Sequence, residues 1–129
     1  MIIIAMNNSL QISKHTSISL LQGYFNGCFP YLKLEFFKKR HNAFPGTARI
    51  EYLSPNFQFG DLNNFNEETL NFDPEMTVAE LEKFFRQKFN LGILVFRKSG
   101  NTWIETTLTW SWTLGRQNDE GLELANFSV

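Results

Sequence analysis

Cysteine, histidine and net charge are scarce in this sequence, and each shortage removes a class of function. A single cysteine, Cys28, cannot close an internal disulfide and supplies no thiolate pair for a metal. The two histidines, His15 and His41, stand far apart in sequence. No His pair at helical spacing and no Asp-rich loop accompanies them, so neither a metal nor a cofactor is expected. His15 reads as a solvated residue before a helix cap, and His41, beside Lys38, Lys39 and Arg40, as a charged strand end. A formal charge of −1 at pH 7 gives no field to gather phosphates, so the footprint of a nucleic-acid binder is missing. Glycine-rich phosphate loops are missing too, since Lys98-Ser99-Gly100-Asn101 and Leu114-Gly115-Arg116 hold isolated glycines. Met1 to Met6 is apolar, but it is shorter than the ~7–15 residues of a signal-peptide core and reads as a strand. No stretch approaches the ~20 apolar residues of a membrane helix. The expectation is a soluble, cytoplasmic chain without a membrane partner.

Phenylalanine is abundant. Fourteen Phe bring the aromatic fraction to 16%, and each ring buries about 150–250 Å². A chain of 129 residues therefore fills one dense core, and a single domain over 1–129 is expected.

Shifting the sequence by sixty positions brings its halves into an ungapped register. Leu10 meets Leu70, Ile12 meets Phe72, Ser17 meets Thr77, and Leu21 meets Leu81. Tyr24, Phe25 and Phe29 meet Phe84, Phe85 and Phe89, and Leu34, Phe36 and Lys38 meet Leu94, Phe96 and Lys98. Pseudo-repeats over about 10–41 and 70–101 follow, joined by an Asn-rich surface linker over about 54–68.

Each half reads as strand, helix, strand. Thr77-Val78-Ala79-Glu80 is a capping box, with Met76 and Leu81 as a hydrophobic staple. Val78, Leu81, Phe84, Phe85 and Phe89 then make one apolar helix face, which Asn90 and Gly92 stop. Ile18, Leu21, Tyr24, Phe25 and Phe29 repeat that face, with Cys28 beside it as a small apolar residue, and Pro30 ends the helix. Leu32, Leu34 and Phe36 alternate with Tyr31, Lys33, Glu35 and Phe37 as a half-buried strand. Leu91 to Lys98 is apolar on both faces, and Ser99-Gly100-Asn101 turns it into a hairpin with Thr102 to Trp110. Arg49-Ile50-Glu51-Tyr52-Leu53 echoes that last strand. Ser111 caps a short final helix, Trp112 to Glu120, stopped by Gly121. The architecture expected is α+β, a ferredoxin-like two-layer sandwich from a duplicated β-α-β(β) unit, with helices on one face of an antiparallel sheet. A paired barrel of the glyoxalase type is the alternative.

No convergent set of titratable groups suggests catalysis, and a non-enzymatic module is expected. The hairpin register puts Arg97 opposite Trp103 and Val95 opposite Glu105. Ile93, Val95, Arg97, Trp103 and Glu105 then form an apolar strip with a charged edge, on the side away from the helices. That strip is the candidate interaction surface of a homodimer or a protein partner, unless the C-terminal segment with Trp110 and Trp112 folds back over it. Replacing Val95 with Asp is expected to break such an assembly. A small-molecule regulatory domain is the alternative, with Arg97 or Arg116 as the anion anchor. Single-stranded nucleic acid is a third reading, drawn from Phe36-Phe37-Lys38-Lys39-Arg40 and Phe96-Arg97-Lys98, but neither has the glycine of an RRM signature. The last third of the chain, through Trp103-Ile104-Glu105-Thr106-Thr107 and Trp112-Thr113-Leu114-Gly115-Arg116-Gln117-Asn118, resembles a group of small uncharacterised bacterial proteins. That resemblance implies no activity.

Overall fold

The computed structural model describes residues 9–38 and 50–126. The strand expected at Met1 to Met6, His41, the basic pair Lys39-Arg40 and the start of the Arg49–Leu53 segment lie outside the described residues. The described elements are β1 (Ser9–Ile12), α1 (Ile18–Cys28), β2 (Leu32–Lys38), β3 (Glu68–Asn71), α2 (Val78–Phe89), β4 (Leu91–Ser99), β5 (Thr102–Glu105) and α3 (Leu114–Asn126). Short 3-10 turns lie at Phe59–Asp61 and Thr107–Thr109. The class is α+β. The described strands are antiparallel, and they divide between two sheets, β1-β3 and β2-β4-β5, instead of the one continuous sheet expected.

Both helices form for the reasons their sequences give. Ser17 and Thr77 each accept an N-terminal N–H, from Leu20 and Glu80, and the Glu80 carboxylate accepts the Thr77 N–H in return. Asn90 ends α2 in the left-handed conformation at φ 53°. Ile18, Leu21, Phe25 and Phe29 of the first half and Val78, Leu81, Phe85 and Phe89 of the second are all buried. Phe36 and Phe59 join Phe85 in an aromatic cluster, with Phe85 edge-on to Phe36 at 5.0 Å. Phe59 comes from the Asn-rich segment read as a surface linker, yet it is fully buried.

Backbone bonds recur between the halves. Leu10 pairs with Leu70 across β1 and β3, while Glu35 pairs with Leu94 across β2 and β4. Ile18 N–H donates to Phe57 C=O at 2.9 Å, and Val78 N–H to Trp112 C=O at 3.2 Å. Gly60 N–H donates to Lys14 C=O and Gly115 N–H to Pro74 C=O, both at 2.9 Å. The first turn of α3 thus takes the place that the Phe59–Asp61 turn holds in the first half. Leu53 N–H bonds Phe36 C=O as Thr106 N–H bonds Val95 C=O, so Tyr52 and Leu53 reach β2 where β5 reaches β4.

The sixty-residue register slips at the helix–strand turns. Phe29, Pro30 and Tyr31 separate α1 from β2, whereas Asn90 alone separates α2 from β4. From there Leu32, Leu34 and Phe36 correspond to Leu91, Ile93 and Val95, and all six are buried. Because a strand alternates faces at every residue, this slip reverses the sides assigned to β4. Ile93, Val95 and Arg97 face the helices, and Leu94 and Phe96 face outward.

The final helix also differs from its expected bounds. It begins at Leu114, is capped by Thr113 through Arg116 N–H at 3.1 Å, and runs through Gly121 to Asn126. Gly121 permits close packing here and ends nothing: a Cβ would come 2.7 Å from that of Tyr31.

Candidate interaction surface

The strip expected from Ile93, Val95, Arg97, Trp103 and Glu105 is not brought together. Its hairpin turns on Gly100 and Asn101, with Ser99 paired to Thr102, so Lys98 rather than Arg97 faces Trp103. Arg97 pairs with Ile104, and Glu105 with Phe96. Ile93 and Val95 are buried, and an Asp at Val95 would unfold the chain before it tested any assembly. The C-terminal segment does fold onto Arg97, on the helix side of the sheet.

Arg97 and Arg116, the two candidate anion anchors, converge on Trp112, their guanidinium carbons lying 5.5 and 3.7 Å from its ring centre. Arg97 is already committed. Its Nη1 donates to Gln117 Oε1 at 2.8 Å, and its Nε is buried without a partner. Gln117 is fully buried and donates through Nε2 to Thr109 C=O and Oγ1, which fixes its oxygen toward Arg97. Arg116 lines a polar groove with Asp119 and Glu75. Among the described residues no group of three His, Cys, Asp or Glu is placed to hold a metal. Cys28 is half-buried, and burial pushes its thiol above the ordinary value.

The outer face of β2-β4-β5 carries Lys33, Glu35 and Phe37 from β2, Leu94, Phe96 and Lys98 from β4, and Trp103 and Glu105 from β5. Lys33 Nζ lies 5.1 Å from the Phe96 ring and 5.4 Å from Trp103, and Lys98 Nζ lies 5.0 Å from Trp103. Tyr52 extends the face beside Phe37. Burial, then Glu105 and Glu35, push its phenol above the usual value. Sequence reasoning missed this aromatic set because it placed Phe96 inward.

The edges of this sheet are treated unequally. Gln22 Nε2 donates to Leu34 C=O at 2.8 Å and Asn26 Nδ2 to Leu32 C=O at 2.9 Å, so α1 side chains close the edge of β2. Sixty residues on, Glu82 and Arg86 of α2 occupy the same positions beside β4. No described residue donates to the carbonyls of Leu91 or Ile93. β5 pairs no further than Phe96, and Thr106 takes Val95 C=O through both its N–H and Oγ1. A cavity of about 270 Å³ opens there, lined by Phe37, Glu82, Arg86 and Leu91 to Leu94. The Phe37 ring occupies the space where a Gly92 Cβ would stand.

Burial raises the Glu82 carboxyl, and Arg86 partly offsets this. A raised carboxyl costs stability when ionised, and that cost fades as pH falls through its titration. In dilute solution Glu82→Gln should raise Tm by about 1–2 °C at pH 7, the site being half-solvated. The advantage should vanish by pH 4, which thermal melts of both proteins across pH would check.

No protein-family model matches this chain, and no curated protein or solved structure does either. Among the described residues no helix is long and apolar enough to cross a membrane.

Proposed function

We propose that this chain is a non-catalytic assembly module, built by duplication of one β-α-β(β) unit, that associates with a second copy through its three-stranded sheet. The observation that carries the reading is the outer face: Phe37, Leu94, Phe96 and Trp103 lie on the side of the sheet opposite the helices. All four are half-buried, and an apolar set that keeps this contact with solvent favours a protein partner. Its charges balance, with Lys33 and Lys98 against Glu35 and Glu105. That suits a self-complementary contact better than a phosphate backbone, which draws on an excess of cations.

The recurring backbone bonds support duplication. The anion-binding reading has less support, because Arg97 spends its accessible hydrogen bond on Gln117 and Arg116 shares its groove with two carboxylates. Light scattering across concentration tests self-association. The parent should approach twice its chain mass, and Leu94→Asp, an outward position beside the cavity, should remain folded and monomeric. A parent that stays monomeric at millimolar concentration would discard the reading.

A further inference from the structure

We infer that the contact is made by strand addition at the open edge of β4, two copies joining antiparallel about a two-fold axis at Gly92. The inference rests on the self-association just proposed and names where it occurs. The molecule supplies its own control. At the edge of β2 the amides of Gln22 and Asn26 satisfy the carbonyls of Leu34 and Leu32. The matching carbonyls of β4 belong to Ile93 and Leu91, and the matching side chains are Glu82 and Arg86. An ionised carboxylate has no proton to donate, so Glu82 cannot close the edge as Gln22 does. The two helix positions that seal β2 leave the carbonyls of Leu91 and Ile93 without a donor among the described residues.

The register follows by elimination. In an antiparallel ladder the N–H and C=O of one residue point to the same side. The even-numbered residues of β4 point toward β2, as Lys98 N–H does in bonding Tyr31 C=O, so Leu91 and Ile93 point to the open side. Val95 C=O is already held by Thr106, which removes any register that needs it. An axis at Gly92 sets Leu91 of each copy against Ile93 of the other and pairs the N–H and C=O of both residues in each copy. Gly92 carries no side chain at the axis, and the two Phe37 rings that cover it meet there.

The occupant follows from charge. Arg86 matches Asn26, which serves Leu32, the counterpart of Leu91. Glu82 matches Gln22, which serves Leu34, the counterpart of Ile93. With Leu91 against Ile93 of the second copy, each Arg86 faces the other copy's Glu82. Opposite charges meet twice across the axis, and the outer faces of the two sheets run on as one six-stranded surface.

Charge exchange read by light scattering tests this. Glu82→Arg places like charges together twice and should weaken the dimer at least 10-fold. Adding Arg86→Glu to it should restore the parent dissociation constant to within about 3-fold. Glu82→Gln with Arg86→Asn, which copies the first half, should close the edge and give a folded monomer, with circular dichroism reporting the fold. A parent without a dimer overturns both this inference and the self-association reading. A dimer that ignores all three variants but is lost in Trp103→Asp overturns the edge alone and moves the contact to the outer face.

Discussion

Replacing Phe85 with Ala should lower the stability of this protein by about 3–5 kcal/mol, the largest single loss expected from any side chain. Phe85 is fully buried and touches four other rings: Phe36 at 5.0 Å, Phe84 at 5.2 Å, Phe89 at 6.0 Å and Phe59 at 6.5 Å. Those rings come from β2, from α2 itself and from the turn at Phe59–Asp61. A cavity at Phe85 therefore cannot collapse by moving one element alone. Since domains hold only about 5–15 kcal/mol in total, the variant should sit close to unfolding at 25 °C. With a urea m-value of roughly 2 kcal/mol/M, its midpoint should fall by about 2 M. A fall below about 0.5 M would mean that the aromatic cluster is looser than its ring contacts indicate.

The second large effect is polar. Gln117→Ala removes three hydrogen bonds of a fully buried side chain, those to Arg97 and to both oxygens of Thr109. Arg97 Nε is already buried without an acceptor, and the variant also takes from Nη1 its Gln117 acceptor. A loss of about 3 kcal/mol is expected. Its signature is coupling: with Arg97 also changed to Met, the double variant should lose at least about 1 kcal/mol less than the two single losses added together. Additive losses in urea titrations would show that Gln117 serves Thr109 alone.

The parts of this architecture legible in the sequence are those fixed by neighbours three or four residues away. The buried faces of α1 and α2, the cap at Thr77 and the stop at Asn90 all depend on local spacing, and the structure has them where spacing puts them. Strand faces depend on parity, so one residue of error exchanges inside for outside. The single-residue turn at Asn90 exchanges the faces of β4, setting Phe96 outward and Val95 inward, and the two-residue turn at Gly100-Asn101 sets Trp103 against Lys98 instead of Arg97. Phe59 was hidden by the asparagines around it. The closure of the β2 edge by Gln22 and Asn26 was not legible, because those amides read as an ordinary solvated helix face until β2 is set beside them. The contrast of Gln22 and Asn26 with Glu82 and Arg86 was present in the sixty-residue alignment all along, as a loss of two neutral donors.

The two ladders that join the halves also close loops of different kinds. β4 and β5 meet across a two-residue turn, and their pairing needs little chain to be ordered first. The described part of the β1–β3 ladder unites Leu10 with Leu70, so its first bond closes a loop of about sixty residues and carries a larger closure entropy. Two strands alone are barely stable in water, and this pair depends on Ile12, Leu70 and Phe72 staying seated on the helices. Loop-closure cost thus favours formation of the carboxyl-terminal hairpin before the ladder that holds the amino-terminal strand, an order that pulsed hydrogen exchange at β5 and β1 would read directly.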